Sequence, residues 1–599
     1  MSAGTLIGVF LESVATHRRP DQFMIKTAQG WKSITAEQAA RDVECLALAL
    51  REMSVTRGDR VALLSENRYE WPIVDLAVQG LGAVLVPIYP TLLAHQVGYI
   101  VGNAEAKVAI TSTPPQLDKM RQATAGLDHV RHHISIEPIP GAPEVPTLAA
   151  QLARGEALRT QEPAVFAAAV AAVRPDDLAT LIYTSGTTGE PKGAMLTHDN
   201  IVSNVRACLQ VIDLGPQDRC LSFLPLCHIF ERMAGMYAMF AGGASIAYAE
   251  SIDTVAANAA EVRPTILCGV PRFYEKAYAR IVDNVRTQPP LRQAIFRWGL
   301  RAGTEMARHR FARTHPPAAL AFQARLADRL VAAKVRARLG GKVRMCISGS
   351  APLSPQVMEF FFAMGLPIQE GYGLTETSPV ICLNPPGREK PGAVGPPIPG
   401  VEVRIGEEGE ILTRGPHVMR GYFRNEEASR VALRDGWFHT GDVGQFDDEN
   451  YLHITDRLKD LIVTAGGKKV APQPIEARLK LSPLIGEAVL IGDRRPYVVA
   501  LLAPQFARLE SEARQRGWSF ERPADLLGRP EVLALFQGAL DTVNADLAKF
   551  EKIKRFALFD RELSQENGEL TPTLKVKRRV IMDKYGAMIE GLYRGGASD

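Results

Sequence analysis

Short apolar segments alternate along the chain with longer segments in which apolar residues recur at helical spacing. The short segments at residues 61–64, 83–87, 108–111, 178–183, 221–224 and 266–269 have the length and composition of buried strands. Strands that alternate with helices in this way are typical of βαβ units and of largely parallel sheets. The pattern therefore predicts an α/β fold for the large N-terminal part of the chain.

The pattern changes between residues 401 and 453, where closely spaced β-type segments are separated by turns. These turns contain glycine, acidic or amide residues, as at 435–436 and 448–450, which favour tight reversals of the chain. The spacing predicts an antiparallel β subdomain. The residues that follow mix helical and strand periodicities, which predicts a smaller α+β domain at the C-terminus.

The bulk composition limits the class of protein. With 599 residues and 46% hydrophobic content, the chain is long enough to form several buried cores. A net charge of +4 is small for this length, so no obligate nucleic-acid partner is expected. The seven cysteines contain no CxxC pair, which fits neither a disulfide framework nor a zinc site and indicates a reducing, cytoplasmic location.

Neither the N-terminus nor the longest uncharged stretch predicts insertion into a membrane. The N-terminus has no basic leader, and Glu12 interrupts its apolar patch, so a signal peptide is not expected. Residues 76–104 are long enough to span a bilayer, but glycines and prolines interrupt them. We interpret this stretch as a buried helix, a turn and a strand.

A strongly basic segment covers residues 297–344, which contain twelve lysines and arginines but only two acidic residues, Glu305 and Asp328. Its apolar residues, such as Phe322 and Leu326, recur at helical spacing. Three interpretations stay open: a solvated helix face packed on the core, a contact with anionic lipid, and a contact with CoA phosphates. The second would place the protein peripherally at the inner face of the membrane.

A loop rich in glycine, hydroxyl and basic residues occupies residues 183–193. Glycines let backbone N–H groups approach a phosphate, and hydroxyl and ammonium groups add further donors. The loop lacks the ending of a Walker sequence, and its position between a predicted strand and a predicted helix disfavours a flexible linker. The candidate phosphate-binding residues are Thr184, Ser185, Gly186, Thr187, Thr188, Gly189 and Lys192.

Five segments resemble, in the same order, the signature segments of the adenylate-forming superfamily, which includes acyl-CoA synthetases, luciferases and peptide-synthetase adenylation domains. They are the loop at 183–193, Gly-Tyr-Gly-Leu-Thr-Glu-Thr at 371–377, Thr-Gly-Asp at 440–442, Asp-Arg-Leu-Lys-Asp at 456–460 and Thr-Pro-Thr-Leu-Lys-Val-Lys-Arg at 571–578. The last segment has the form found in bacterial long-chain fatty-acid–CoA ligases. The resemblance implies activation of a fatty acid as acyl-AMP and then transfer to CoA, with ATP, Mg²⁺ and CoA as ligands.

The resemblance also implies a division of the chain into domains 1–456 and 457–599. The larger domain would bind AMP and the acyl group, whereas the smaller, mobile domain would carry the catalytic lysine. Lys459 corresponds to the hinge position of the family, and Gly466 and Gly467 would belong to the hinge and CoA-binding region.

Roles in nucleotide binding are implied in the same way. Lys192 and the rest of the loop would close over the β- and γ-phosphates of ATP. Glu376 would be the protein ligand of Mg²⁺, with Thr375 as a hydroxyl donor to the α-phosphate. Tyr372 would offer an aromatic face to adenine. An ordinary surface glutamate is the alternative interpretation of Glu376.

The resemblance places further roles nearer the C-terminus. Asp442 and Arg457 would bind the ribose hydroxyls, and a buried structural ion pair is the alternative for these residues. Lys575 would bridge the substrate carboxylate and the α-phosphate during adenylation. A second lysine, Lys577, lies two residues further on.

The acyl pocket is the least specific part of the resemblance. His228 aligns with a position that lines this pocket, although a lone histidine among apolar residues is often a satisfied core residue. Gly373 and Leu374 precede the Thr-Glu pair where short-acid enzymes of the family place a bulky residue, so we expect an open channel. Three further residues would border the nucleotide and the acyl group: Gly349, Ser350 and Ala351.

Other functions share part of this chemistry. A fatty acyl-AMP ligase would transfer the acyl group to a carrier protein instead of CoA, and a luciferase-like enzyme would oxidise the adenylate. A non-catalytic acyl-binding protein is disfavoured, because all five family positions at 192, 376, 442, 457 and 575 carry the expected residue.

Overall fold

The structure, a computed structural model, describes residues 4–184, 190–571 and 575–594. Its sheets of mainly parallel strands are covered by helices, so the predicted α/β class is confirmed. One sheet contains, in spatial order, His132–Ser135, Val108–Thr111, Arg60–Leu64, Val84–Ile88, Leu178–Thr184 and Lys192–Thr197. Another contains Val380–Leu383, Ile368–Gly373, Met345–Ser348, Ile266–Gly269, Arg219–Ser222, Ser245–Tyr248, Phe23–Thr27 and Gly30–Ile34.

The expected antiparallel subdomain follows these parallel sheets. Its strands are Glu402–Ile405, Glu410–Arg414, Leu433–Arg434, Trp437–Phe446 and Leu452–Arg457. The C-terminal part has a short hairpin and a sheet, with strands Ile462–Val463, Lys469–Val470, Ile485–Ile491, Val498–Pro504 and Ile553–Leu558. This combination matches the predicted antiparallel β subdomain and smaller α+β region.

Helices connect the strands and cover the sheets. In the N-terminal part the α-helices are Leu6–His17, Ala36–Glu52, Glu70–Gly80, Ala94–Ala104, Pro114–Thr124, Leu148–Gln161, Val165–Ala172, His198–Val211, Ala238–Gly242, Val255–Val262, Pro271–Arg286, Pro290–Phe311, Ala318–Ala327, Ala333–Ala337, Pro355–Ala363 and Glu426–Ala432. In the C-terminal part they are Pro472–Leu479, Phe506–Gln515, Pro530–Asn544, Arg578–Lys584 and Gly586–Tyr593. Segments of π-helix occur at Glu231–Tyr237 and Asp328–Ala332, and 3₁₀ turns occur at Thr375–Thr377, Glu407–Gly409 and Pro523–Leu526.

Local sequence explains where several of these helices begin. Thr197 caps the helix His198–Val211, because its hydroxyl accepts from the Asn200 N–H while the Asn200 side chain accepts from the Thr197 N–H. Ser354 precedes the helix Pro355–Ala363, but its side chain makes no capping bond there. Proline at the first turn and Gly365 in the left-handed region bound this helix.

Two other details refine the sequence prediction. The strand expected at 221–224 is Arg219–Ser222, because the apolar residues Phe223 and Leu224 continue into the buried core beyond the end of the strand. The uncharged stretch 76–104 contains the expected helix and strand, but it also contains a second helix, Ala94–Ala104, which was not predicted. Among the described residues, no helix combines the length and the apolar character that crossing a membrane requires.

Separate hydrophobic cores form in the N-terminal and C-terminal parts. The large core joins buried residues between Leu6 and Phe438, whereas a second core packs Val498, Leu502 and Phe536 within the C-terminal part. Independent cores are the usual property of separate domains. The division at residue 456 agrees with this separation and stays a prediction.

Candidate active site

The phosphate-loop strand and the strand after it form an antiparallel pair at the edge of the first sheet. Thr184 pairs with Lys192, and Tyr183 pairs with Gly193. A Cβ atom on Gly193 would lie 3.0 Å from the Tyr183 ring, so this position has little room for a side chain. The predicted phosphate-binding residues Ser185, Gly186, Thr187, Thr188 and Gly189 lie outside the described residues, but Thr184 and Lys192 define both ends of the loop.

The Thr375–Glu376 pair lies in a 3₁₀ turn directly after the strand Ile368–Gly373. The Thr377 hydroxyl accepts from the Leu374 N–H at 2.9 Å and fixes this turn. Glu376 is buried, with 9% of its surface exposed, so it is not the ordinary surface glutamate considered as an alternative. Its carboxylate Oε1 accepts a hydrogen bond from the Tyr422 hydroxyl at 2.8 Å.

Tyr422 also lies beside the other end of the phosphate loop. The Lys192 ammonium is 5.3 Å from the centroid of the Tyr422 ring, within the range of a cation–π contact. One tyrosine therefore contacts both Lys192 and Glu376.

Asp442 and Arg457 face each other because of strand register. They are direct partners on the antiparallel strands Trp437–Phe446 and Leu452–Arg457, and Arg457 Nε donates to Asp442 Oδ1 at 3.1 Å. The Tyr372 hydroxyl donates to Asp442 Oδ2 at 2.7 Å. Each carboxylate oxygen has a second lone pair, so this ion pair can also accept from a ligand hydroxyl.

Lys575 comes from the C-terminal part and reaches the same cleft. Backbone and side-chain bonds to Thr571 hold it: the Lys575 N–H donates to Thr571 Oγ1 at 3.0 Å, and the Thr571 N–H donates to the Lys575 carbonyl at 2.8 Å. Lys575 keeps a solvent-exposed surface, while the protein groups around it remove part of its hydration.

The charges around Lys575 show which groups it faces. Burial in the cleft and the cation of Arg457 lower the pKa of Lys575 to about 8, while Asp442 and Glu376 act in the opposite direction. The structure therefore brings together four residues that were predicted from separate segments. Lys575, Arg457, Asp442 and Glu376 are near enough for their charges to interact.

His228 lies next to this group of charges. Burial and the Lys575 cation lower the pKa of His228 to about 4, so its ring is neutral at pH 7. Its Nδ1 accepts from the Phe230 N–H at 3.1 Å, which leaves Nε2 as the protonated nitrogen. His228 therefore borders the cleft that contains Lys575 and is not a histidine isolated within the apolar core.

The segment Gly349, Ser350 and Ala351 follows the strand Met345–Ser348 on the side of His228. A Cβ atom on Gly349 would be 3.4 Å from the Phe230 ring, so Gly349 packs directly against the segment of His228. Ser350 adopts a left-handed conformation with φ 72°, which marks a tight turn at the end of the strand.

A close backbone contact, which the sequence did not reveal, explains why residue 373 is a glycine. A Cβ atom there would lie 1.7 Å from the Pro379 carbonyl oxygen, because Gly373 pairs closely with the antiparallel strand Val380–Leu383. Close backbone approach requires glycine at this position. Glycine at residue 373 therefore has a sufficient structural reason of its own, and the open acyl channel stays a prediction.

The structure does not join the hinge and CoA-binding candidates to the cleft. Lys459 is exposed in the turn after the strand Leu452–Arg457. Gly466 and Gly467 are exposed at the tip of the hairpin Ile462–Val463 and Lys469–Val470, where the neighbouring Ala465 N–H donates to the Arg495 carbonyl.

The donors in the cleft suit a magnesium ion held mainly by a substrate. Within the part of the chain that the structure describes, no group of three or more His, Cys, Asp or Glu side chains could hold a metal ion. Mg²⁺ in nucleotide sites commonly needs only one or two carboxylates, because phosphates and water supply the other ligands. The carboxylate of Glu376 fits this requirement.

Comparison with known proteins gives two family matches along the chain. Residues 11–423 match the AMP-binding enzyme family, and residues 459–597 match the C-terminal domain of AMP-binding enzymes. The chain belongs to the AMP-binding enzyme family. The predicted membership of the adenylate-forming superfamily is thereby confirmed.

Relatives of this AMP-binding enzyme match it over nearly its whole length. A long-chain-fatty-acid–CoA ligase, FadD15, of Mycobacterium bovis is 37% identical over 572 residues, covering 94% of this chain and 92% of the relative. The peroxisomal long chain acyl-CoA synthetase 7 of Arabidopsis thaliana is 31% identical, covering 93% of this chain and 81% of the relative.

Solved structures have the same architecture. ATP-bound MatB from Rhodopseudomonas palustris is 25% identical with a TM-score of 0.68, covering 98% of this chain and 99% of MatB. The anthranilate CoA ligase AuaEII, solved with anthranoyl-AMP, has a TM-score of 0.73 at 19% identity, with 97% of each chain covered. The latter similarity concerns the fold alone.

Two residues of this AMP-binding enzyme that support the site were missed in the sequence. Tyr422 was missed because its contact with Glu376 spans 46 positions; its Gly-Tyr context was the available signal. Arg232 was missed although it follows His228 by one helical turn. It is fully buried and bonds Asp75 and Thr180, so it anchors the segment after His228 to the strand that precedes the phosphate loop.

Proposed function

We propose that this AMP-binding enzyme converts long-chain fatty acids into acyl-CoA thioesters. In the first step, a carboxylate oxygen of the acid attacks the α-phosphorus of ATP, and pyrophosphate leaves. In the second step, the thiolate of CoA attacks the acyl carbon, and AMP leaves. The names of the relatives at 37% and 31% identity support this substrate class.

The convergence of Lys575 with Asp442, Arg457 and Glu376 in one cleft carries the proposal. Adenylation accumulates negative charge around the α-phosphate, and a preorganised cation stabilises that charge. Lys575 lies where its ammonium can serve this purpose. The neutral His228 beside it avoids a second cation near the acyl group.

The other residues take the roles that suit their positions. Thr184, Lys192 and the loop residues 185–189 would hold the β- and γ-phosphates, with Thr375 near the α-phosphate. Mg²⁺, when bound, would neutralise phosphate charge, with Glu376 as its protein ligand. Asp442 and Arg457 would bind ribose, and Tyr372 would lie against adenine while its hydroxyl orients Asp442.

We further propose that residues 457–599 move as a unit relative to residues 1–456 between the two steps. Lys459 lies in an exposed turn at the proposed boundary, where a change in backbone angles would meet little steric resistance. Rotation there would withdraw Lys575 from the cleft and could present the exposed glycine tip, Gly466 and Gly467, to CoA.

A pyrophosphate-release assay with acids from acetate to stearate tests the substrate class. Because each buried CH₂ contributes about 0.8 kcal/mol, acids of about 12 to 18 carbons should outcompete acetate by orders of magnitude in kcat/KM. Equal turnover of acetate and palmitate would refute the long-chain assignment. Dependence of product formation on a carrier protein instead of CoA, or on oxygen, would refute the second step.

We also propose that the protein binds the surface of anionic membranes. The helix Ala318–Ala327 and the turn after it expose Phe322, Leu326 and Leu330 at intervals of four residues, with Phe322 69% exposed. Arg325 and Arg329 are exposed on the same helical face. Apolar side chains surrounded by arginines are suited to the interface of an anionic bilayer.

Co-sedimentation with liposomes of phosphatidylcholine, with and without phosphatidylserine, tests this surface. Phe322→Glu with Leu326→Glu should abolish binding, since each apolar side chain contributes about 1.5–3 kcal/mol when buried. Val431→Glu is the matched control, because Val431 is also an exposed apolar residue on a helix, at 54% exposure. Binding that does not depend on lipid charge, or that persists after the double substitution, would contradict the proposal.

A further inference from the structure

Tyr422 connects two groups that the proposed function assigns to different phosphates. Its hydroxyl donates to Glu376 Oε1 at 2.8 Å, and hydrogen bonds to a charged acceptor are among the stronger ones in proteins. The bond holds Oε1 of Glu376 and thereby restricts the rotation of the Glu376 side chain. The other oxygen, Oε2, is then presented in a defined direction.

The ring of the same tyrosine faces the end of the phosphate loop. The Lys192 ammonium lies 5.3 Å from its centroid. An aromatic face attracts an ammonium group without neutralising it, so Lys192 is oriented while its charge remains available for phosphate.

The backbone around Tyr422 is fixed by both of the segments that it connects. The Phe423 N–H donates to the Gly193 carbonyl at 2.8 Å, and the Met419 N–H donates to the Glu376 carbonyl at 2.8 Å. The Tyr422 N–H itself donates to Ser429 Oγ at 2.8 Å. Tyr422 therefore has little freedom to move relative to either Lys192 or Glu376.

We propose that Tyr422 is a positioning residue that couples Lys192 to Glu376, so that the loop lysine and the magnesium-binding carboxylate are aligned before ATP arrives. This inference rests on the proposed function, because it assumes that Glu376 ligates Mg²⁺ and that Lys192 binds phosphate. Tyr422 touches neither reacting atom. It acts through the two residues that do contact the nucleotide and its metal.

Calorimetric titration with ATP, in the presence and absence of Mg²⁺, measures this coupling without any turnover. The wild-type protein should bind ATP more tightly with Mg²⁺. Tyr422→Phe keeps the ring beside Lys192 but removes the hydrogen bond to Glu376. The Mg²⁺-dependent gain in ATP affinity should therefore fall about tenfold, because removing a hydrogen-bond partner of a metal ligand commonly costs at least this factor in metal affinity. Metal-free ATP affinity should be unchanged. Tyr422→Leu should lower both the metal-free affinity for ATP and the gain in affinity that Mg²⁺ produces.

A matched control is available in the same chain. The Tyr451 hydroxyl donates to the Arg388 carbonyl at 2.7 Å, and the Lys390 ammonium lies 5.4 Å from the Tyr451 ring. Tyr451→Phe therefore removes a similar bond from a similar environment outside the candidate site. It should lower the unfolding temperature without changing the Mg²⁺ dependence of ATP binding.

The Glu376→Gln background provides the decisive comparison. Tyr422→Phe should produce no further loss of Mg²⁺ dependence there, because the effect passes through the carboxylate. A Mg²⁺ dependence in Tyr422→Phe equal to that of the wild type would overturn the inference while leaving the proposed function intact. Failure of the wild-type protein to bind ATP would overturn the proposed function itself.

Discussion

The rate of adenylation should decrease at alkaline pH, and this decrease should depend on Lys575. The residue must carry its proton in order to stabilise charge on the α-phosphate. Because burial and Arg457 lower its pKa to about 8 in the free protein, the ammonium is lost as the pH rises through that value. The pH dependence of kcat/KM reports such groups of the free enzyme.

The size of the effect follows from this pKa. With a pKa of about 8, the protonated fraction of Lys575 falls from about 90% at pH 7 to about 10% at pH 9. Adenylation measured as kcat/KM should therefore fall about tenfold over this range. Arginine stays protonated throughout, so Lys575→Arg should be slower at pH 7 but should lack the alkaline decrease.

The two half-reactions are measured separately to locate the effect. Pyrophosphate exchange follows adenylation, and release of acyl-CoA from added acyl-AMP follows the second step. Lys575→Ala should reduce exchange about 10²-fold or more, the scale for loss of one preorganised group, while the second step continues. Lys577→Arg is the control, because the Lys577 N–H is bound to the Glu569 carbonyl and we assign its side chain no role in adenylation.

Two results would refute this reasoning. An unchanged alkaline decrease in Lys575→Arg would mean that another group titrates. Equal damage to both half-reactions in Lys575→Ala would mean that Lys575 does not act specifically in adenylation.

Three further predictions concern the hinge, the domain contact and a buried acid. Lys459→Pro, by fixing φ, should spare pyrophosphate exchange but slow acyl transfer to CoA about tenfold or more; normal rates of both would contradict the hinge. Glu487→Gln removes the ion pair with Arg272 and should shift the ratio of the half-reaction rates toward acyl transfer about two- to fivefold, which an unchanged ratio would contradict. Burial raises the pKa of Glu231 to about 8, so the folded state binds this proton more tightly than the unfolded state does. The free energy of unfolding should therefore fall by up to about 5 kcal/mol between pH 4.5 and 8. In urea titrations, Glu231→Gln should show a weaker dependence of the free energy of unfolding on pH.

Short-range patterns in the sequence were sufficient for most of the fold and for the membership of the chain in its family. The strand before the phosphate loop and the helix His198–Val211 follow from apolar periodicity and from the Thr197 cap, which act within a few residues. Contacts between distant segments were not predictable in this way. Tyr422 reaches Glu376 only because its segment pairs with Gly193 and Met195 beside the loop.

Gly373 illustrates a second kind of contact that the sequence does not reveal. The sequence shows that a side chain is absent but does not show which neighbour requires its absence. In the structure that neighbour is the Pro379 carbonyl, a backbone atom of the adjacent strand, and not an acyl chain. Glycine at residue 373 therefore neither requires nor excludes an open acyl channel.

The contacts that fix the pocket differ in strength from the contacts that hold the C-terminal part. Arg232 and Asp75 are completely buried, and breaking a buried pair costs about 3–5 kcal/mol, so the segment after His228 should stay in place during the reaction. Apart from Arg457 with Asp442, which precedes the proposed hinge at Lys459, the ion pairs described between the two parts are Arg272 with Glu487 and Arg508 with Asp283. The partly exposed Arg508–Asp283 pair contributes about 1 kcal/mol or less. Glu487 is buried, so its pair with Arg272 contributes between these two limits. We therefore expect residues 457–599 to leave the cleft at modest cost while the acyl pocket stays rigid, as the two-step reaction requires.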